Sequence, residues 1–162
     1  CRADLPALRL QTPGNRHALV ISCAHFLERG EVQFDKESHR SGESITKLLT
    51  ELEYDVLHLH DPTQKTVQAA LKNVVKPPKS DDESTTFIFY AGPVLQDEGG
   101  QLMMLFMDPG LGRMSVFRLG KWILDLQHSL LQVGRPLGLG KPAPSTNMVF
   151  AIDGCSKRDS TG

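Results

Sequence analysis

The stretch TTFIFYAGPVLQDEGG, residues 85–100, decides the fold because it contains the most typical buried strand of the chain. Its first six residues are β-branched or aromatic, the types that favour the interior of a sheet. The pattern runs on through Ala91-Gly92 and breaks at Pro93, which has no backbone N–H for a sheet ladder. A strand that ends on small residues at the rim of a sheet is a common place for a catalytic group. Pro93 can neither take up nor release a proton, so the stretch indicates either an active site or a site that has lost its acid–base residue.

The composition is that of one globular domain. The chain has 162 residues, of which 40% are hydrophobic and 23% charged, ordinary values for a protein with a single core. Its 18 basic and 19 acidic residues give a net charge of -1, so no basic excess points to nucleic acid or to an anionic membrane. No apolar run approaches the ~20 residues of a membrane span. We therefore expect neither a nucleic acid nor a membrane as a partner.

The cysteines and histidines indicate neither a disulfide framework nor a metal site. Three cysteines, Cys1, Cys23 and Cys155, are an odd and small number, which favours a reducing compartment and a cytoplasmic protein. No CxxC, HxxxH or HExxH spacing occurs. His58 and His60 fall on one face of a predicted strand, and we interpret them as packing at the end of the sheet. The sequence thus predicts no metal and no cofactor.

Strand-like runs and helical periodicities alternate in the first half of the chain. The runs at residues 17–23, 54–59 and 85–90 predict strands. A helix over residues 45–52 is expected to follow a cap at Ser41 or Ser44. A second helix, over residues 64–75, is expected to follow a cap at Thr63. The predicted inner faces consist of Ile45, Leu48, Leu49 and Leu52 in the first helix and of Val67, Leu71 and Val74 in the second.

The second half predicts a hairpin, a helix and a last strand. Residues 101–107 and 113–117 flank the turn sequence DPGLG and predict two paired strands. Residues 119–131 place Trp122, Leu126 and Leu130 at helical spacing, with His128 at the surface. Residues 147–152 form a last apolar run that leads directly to Cys155.

This alternation predicts an α/β fold with a mostly parallel sheet and helices on both faces. In such sheets, chemistry lies beyond the carboxyl ends of the strands. The predicted ends are Cys23-Ala24-His25, His60-Asp61, Ala91-Gly92-Pro93 and Asp153-Gly154-Cys155. A thiol is therefore expected at the functional rim of the sheet.

In their order and spacing these segments resemble the caspase, metacaspase and paracaspase group of cysteine peptidases. HALVIS is similar to the first strand of that group, SGESITKLLTELEYDV to the next helix and strand, and DPTQKTVQAALKNV to the second helix. FIFYAG resembles the third strand, and GKPAPSTNMVFAIDGC the lead-in and strand that end at the nucleophile. The resemblance implies a three-layer, flavodoxin-like topology. It also implies a large-subunit domain at residues 17–162 after an extension at 1–16, with the small subunit absent from this chain. Because the chain opens on Cys1 rather than Met, we expect it to be excised from a longer protein.

The resemblance also implies the site residues. Cys155 matches the nucleophile, Pro93 stands at the position of the family histidine, and Val94 replaces the glycine whose N–H faces the oxyanion. Asp153 is closer to the metacaspase pattern and favours a basic substrate residue. Arg29, in the loop after the first strand, is a candidate for binding a substrate carboxylate, as are Lys36 and Arg40 in the same stretch.

Simpler roles compete with these assignments. Cys155 could be an inert thiol, and Cys23, inside an apolar strand, is expected in the core. His25 follows the first strand and could substitute as a base, or it could be a structural histidine.

Two functions follow from this reading. The first is a catalytically degenerate module that binds a caspase-type small subunit or a caspase-like relative. The second is an active cysteine endopeptidase that uses Cys155 and His25. A flavodoxin-like nucleotide binder is a third reading, but AHFLERGE contains no Gly-rich phosphate loop.

Overall fold

The apolar runs of the sequence form the centre of a parallel sheet. A computed structural model of the chain describes residues 15–28, 30–74, 84–108, 112–118, 120–125, 128 and 146–154. In chain order the elements are β1 (Arg16–Ser22), β2 (His25–Glu28), β3 (Glu31–Phe34), α1 (Lys36–Glu51), β4 (Asp55–His60), α2 (Gln64–Val74), β5 (Ser84–Ala91), β6 (Val94–Gln96), β7 (Leu102–Asp108), β8 (Arg113–Arg118) and β9 (Thr146–Asp153). Residues 120–125 are also helical.

The main sheet has the order β4-β1-β5-β9, and all three pairings are parallel. Its register aligns the carboxyl ends of the strands. Ser22 of β1 is paired with His60 of β4 and with Ala91 of β5, which in turn is paired with Asp153 of β9. The predicted α/β class is confirmed.

Alternating side chains of β1 pack into two separate hydrophobic cores, one on each face of the sheet. Leu19 and Ile21 pack with α2, β7 and β8 on one face, whereas Ala18 and Val20 pack with Leu49 of α1 on the other. All four side chains on β1 are fully buried. Because successive residues of a strand point to opposite faces, a continuous apolar strand needs a cover on both sides. The helices on both faces of the sheet supply that cover, as predicted.

Helix α1 begins at Lys36, well before residue 45 where the periodicity predicted it. Its cap is Asp35, whose carboxylate accepts hydrogen bonds from the Glu37 N–H at 3.0 Å and the Ser38 hydroxyl at 2.7 Å. The prediction of Ser41 or Ser44 as cap is therefore wrong. The first turns of the helix are polar, and a hydrophobic periodicity cannot detect them.

The inner face of α1 also differs from the prediction. Its buried residues are Ser38, Gly42 and Leu49, whereas Leu48 and Leu52 are 50% and 49% exposed. A Cβ on Gly42 would lie 2.8 Å from His58 Nε2 and 2.9 Å from Ser22 Cβ. The helix thus approaches the sheet through small residues, and this turns two of its leucines toward solvent.

Helix α2 follows the sequence prediction closely. The Thr63 hydroxyl accepts a hydrogen bond from the Thr66 N–H at 3.2 Å, as an N-cap does. Val67, Leu71 and Val74 are buried against the sheet. The predicted cap and inner face are confirmed.

Two antiparallel units accompany the main sheet. The predicted hairpin is β7–β8, and β6 adds a third strand beside β7. The segment after β1, which the sequence suggested was a loop, contains the hairpin β2–β3 with His25 opposite Phe34. Val32 and Phe34 are more than half exposed, so these short strands lack the buried face that would have marked them in the sequence.

The helical segment at residues 120–125 contacts β8 and β9 through Trp122. Trp122 is buried and makes edge contacts with the rings of Phe117 and Phe150, at centroid distances of 5.3 and 5.4 Å. His128 is exposed, as predicted. Leu126 and Leu130 lie outside the described residues. Across the described ranges, no helix combines the length and the apolar character needed to cross a membrane.

Candidate functional site

The carboxyl ends of the four parallel strands are joined by short backbone hydrogen bonds. The Cys23 N–H donates to the Ala91 carbonyl at 2.7 Å, and the Gly92 N–H donates to the Asp153 carbonyl at 3.1 Å. On the opposite side, the Asp61 N–H donates to the Ser22 carbonyl at 2.8 Å. These bonds fix the four predicted strand ends next to one another. They form the rim that the sequence assigned to the functional site.

Pro93 occupies the turn between β5 and β6. Its carbonyl accepts a hydrogen bond from the Leu105 N–H at 3.2 Å and lies 2.9 Å from the Tyr90 hydroxyl. The same hydroxyl lies 2.8 Å from the Leu105 carbonyl. Burial and the neighbouring Cys23 raise the pKa of Tyr90, so this hydroxyl stays protonated and can donate its single hydrogen to either carbonyl. The turn is therefore fixed, but the side chain at its centre offers no proton.

Val94 lies against the residue that precedes Cys155. Its side chain is 4% exposed and belongs to the α2-side core. A Cβ on Gly154 would lie 2.8 Å from both methyl carbons of Val94, which is closer than real Cβ contacts allow. Position 154 must therefore be glycine while Val94 is present. The side chain at the predicted oxyanion-loop position fills the space next to the end of β9.

Gly92 permits a second close approach at the rim. A Cβ there would lie 2.8 Å from Cys23 Cβ and 2.9 Å from the Tyr90 hydroxyl oxygen. Cys23 is 2% exposed, which confirms its predicted place in the core. Burial and the nearby Asp61 carboxylate raise the pKa of the Cys23 thiol well above its ordinary value. This thiol is structural and carries no nucleophilic chemistry.

His25 is bound to Asp61 at the far side of β1. The Asp61 carboxylate accepts hydrogen bonds from the N–H groups of Ala24 and His25, at 2.7 and 2.9 Å, through one oxygen. Its other oxygen lies 2.7 Å from His25 Nδ1 and 3.0 Å from His39 Nε2, although the His39 contact lacks hydrogen-bond geometry. Burial favours a higher pKa for Asp61, but the His25 and Ala24 N–H groups and the His25 imidazole outweigh it and lower the pKa.

These elements match a known protein family. The family model described as Caspase domain matches residues 15–127, which is more than half of the chain. The chain belongs to the caspase-domain family. The matched range includes the turn with Pro93 and Val94 and ends before β9. A comparison with curated proteins gave no match.

Several of the predicted site residues of this caspase domain can be placed, and two cannot. Pro93, Val94 and Asp153 lie together at the ends of β5 and β9, while His25 lies beyond β1. Cys155 and Arg29 are outside the described residues, and their roles stay predictions.

Asp153 is exposed at the carboxyl end of β9, and one of its oxygens accepts a hydrogen bond from the Ser41 hydroxyl at 2.7 Å. This contact connects α1 to the end of β9. Sequence reasoning considered Ser41 only as a helix cap and missed the contact, because the two residues are far apart in the chain. The predicted role of Asp153 toward a basic substrate residue stays a prediction.

His58 and His60 pack at the end of the sheet, as expected. Their ring centroids are 3.9 Å apart, and the Ser22 hydroxyl lies 3.0 Å from His58 Nε2 and 3.3 Å from His60 Nδ1. The Thr46 hydroxyl lies 3.0 Å from His58 Nδ1, so both ring nitrogens of His58 have a partner without a charge. Among the described residues, no group of three or more His, Cys, Asp or Glu side chains is arranged to hold a metal ion.

The free energy of unfolding should decrease as the pH is lowered, because of His58. Burial and then the charge of His60 lower its pKa from 6.5 to about 4, against an opposing effect of Glu43. Below pH 6.5 the unfolded chain therefore binds a proton that the folded chain does not. We expect a loss of about 1–2 kcal/mol between pH 7 and pH 4.5, after allowance for solvent screening.

Urea unfolding across this pH range, with NMR titration of the His58 ring, would measure both quantities. A His58→Gln variant serves as the control, because it should show a flatter profile between pH 7 and pH 4.5. A His58 ring that titrates near 6.5 would contradict the prediction.

Proposed function

We propose that this caspase domain is a catalytically degenerate peptidase that acts as a protein-interaction or regulatory module. The observation that carries the proposal is the pair Pro93-Val94 at the end of β5, beside the strand that leads to Cys155. Peptide hydrolysis by a thiol needs a neighbouring base and an acid that protonates the leaving amine, and such proton transfer contributes ~10²–10⁴ in rate. Pro93 provides neither group.

The packing of Val94 supports the same proposal. Oxyanion stabilisation needs backbone N–H donors that point into open space where the charge develops. Here the Val94 side chain is buried and contacts Gly154, so the space beside the end of β9 contains two methyl groups. On this proposal, one turn has lost both functions: Pro93 stands in place of the proton carrier, and the side chain of Val94 fills the space that an oxyanion would need.

The second candidate function is an active cysteine endopeptidase with His25 as a displaced base. Its support is the 2.7 Å contact between His25 and Asp61, which orients an imidazole that is 44% exposed. The position of His25 argues against it. Neighbouring strands lie ~4.8 Å apart and β5 separates β1 from β9, so the two strand ends are about 10 Å apart. His25 is also bound to Asp61 of the β4 side, which points away from β9.

We infer that the partner is a protein, either a caspase-type small subunit or a caspase-like relative, and that the two meet in the cytoplasm. The feature that supports this is β9, which lies at one end of the sheet order. Within the described ranges no strand pairs with its outer edge, and Val149 on this strand is 43% exposed. An unpaired strand edge is a template for a strand of another chain.

The pKa of the Cys155 thiol tests the proposal. We expect iodoacetamide alkylation of Cys155 to show a midpoint near the ordinary ~8.5 and to be unchanged by His25→Ala. The measurement uses a Cys1→Ser background, in which buried Cys23 reacts slowly, and Cys155→Ser identifies the signal. A midpoint well below 8 that rises in His25→Ala would instead establish the displaced-base peptidase.

A further inference from the structure

A groove of about 920 Å³ lies on the α2 side of the sheet. It is bounded by α2, by β7 and β8, and by the helical segment at residues 120–125. Its floor is apolar. Leu71, Phe117 and Trp122 are each less than 10% exposed, and the last two rings are in edge contact. Val116, which is 47% exposed, adds an apolar wall.

The rim of the groove is basic. Lys72 of α2, Arg118 of β8 and Lys121 of the helical segment all line it and are exposed, and Asp125 is the acidic residue among the lining side chains. The chain as a whole has a net charge of -1, so this is a local excess of positive charge. The ion pairs formed within the described ranges involve none of the three cations.

We propose that this groove binds an acidic, amphipathic peptide segment of a partner protein. Apolar side chains of the segment would cover Val116, the exposed apolar wall, and lie over the floor that Leu71 and Trp122 form, and its carboxylates would pair with Lys72, Arg118 and Lys121. The combination of an apolar recess and a basic rim matches that chemistry, because the exposed Val116 wall supplies apolar area to bury and the rim supplies charge complementarity.

Other anionic ligands fit the groove less well. A single-stranded nucleic acid needs exposed ring faces on which bases stack, and Trp122 is only 7% exposed. An anionic membrane attracts proteins through clusters of several basic residues on one surface, whereas here three cations surround a recess that also contains Asp125. The proposal is independent of the chemistry of Cys155.

The single tryptophan of the chain makes the test direct, because Trp122 lies in the groove. The probe is the synthetic peptide ELLEELLEEL, titrated into the full chain while the Trp122 emission is followed. We expect a saturable change in emission and weaker binding at high salt. The same peptide with glutamine in place of every glutamate should bind at least about tenfold more weakly.

Matched variants locate the binding. The triple variant Lys72→Gln, Arg118→Gln and Lys121→Gln should weaken binding of the peptide about tenfold. The control triple variant Lys47→Gln, Lys65→Gln and Arg113→Gln removes the same charge from exposed positions outside the groove and should bind normally.

Equal binding by both triple variants would overturn the proposal, and so would the absence of a saturable signal. Tighter binding of an oligo-dT 12-mer, or of phosphatidylserine vesicles, that is lost in the groove variant would assign the groove to nucleic acid or to membrane instead and would also overturn it.

Discussion

Replacement of Pro93 by histidine together with Val94 by glycine should lower the alkylation midpoint of Cys155 by about 1–3 pH units. The Gly92 N–H donates to the Asp153 carbonyl, and Val94 contacts Gly154, so the backbone at position 93 lies between two residues that contact the end of β9. An imidazolium there would stabilise the thiolate. A thiolate of lower pKa is intrinsically less nucleophilic, so the expected gain in alkylation rate at pH 6 is about tenfold rather than larger.

Two control variants separate the effect of the imidazole charge from the effect of removing the Val94 methyl groups. The variant Pro93→Asn with Val94→Gly opens the same turn but carries no titratable group, and it should keep the wild-type midpoint. Pro93→His alone leaves the Val94 methyl groups against Gly154 and should give a smaller shift. If the His–Gly and Asn–Gly variants share one midpoint, position 93 is not the place of the family histidine, and the proposed function loses its main support.

Asp61→Ala should destabilise the fold by about 3 kcal/mol or more. The Ala24 N–H is fully buried and donates to the Asp61 carboxylate, and a buried donor without a partner costs about 1–3 kcal/mol. Asp61 also has φ +44°, in the left-handed region, where alanine costs about 1–2 kcal/mol and Asp or Asn is better tolerated. Denaturant unfolding at pH 7 measures the sum.

Asp61→Asn is the matched variant, since it keeps a side-chain oxygen for the two N–H groups, while it removes the charge and places an NH2 group opposite His25 Nδ1. We expect about 1 kcal/mol of destabilisation at pH 7. The folded pKa of Asp61 is lowered from 3.8, so the charge stabilises the fold above that pH and this contribution is lost as the pH falls through the folded pKa. The difference between wild type and Asp61→Asn should shrink accordingly. An Asp61→Ala variant as stable as Asp61→Asn would show that solvent replaces the carboxylate.

Sequence patterns predicted the elements that bury a continuous apolar side. β1 and β5 are such strands, and α2 shows both its cap at Thr63 and its inner face. α1 was located only in part, because its contact with the sheet uses Ser38 and Gly42, which a hydrophobic periodicity does not register. The hairpin β2–β3 escaped prediction because its strands are short and its large side chains are exposed.

The features of the candidate site also fall into those that the sequence predicts and those that only the tertiary structure shows. The residue types at the strand ends, and with them the absence of an acid–base group at Pro93, follow from the sequence because parallel strands end at one rim. The partner of His25 does not, since Asp61 follows a different strand and meets His25 only when β1 and β4 pair. The link from Ser41 to Asp153 depends in turn on how α1 crosses the sheet.

The sequence by itself thus determined the caspase-type order of strands and helices, the buried Cys23 and the presence at position 93 of a proline, which has no acid–base group. These properties depend on residue types and on neighbours along the chain. Only the tertiary structure decided that Val94 contacts Gly154 and that Lys72, Arg118 and Lys121 surround one groove. The reason is physical, because contacts between distant segments depend on strand register and helix rotation, which local patterns do not encode.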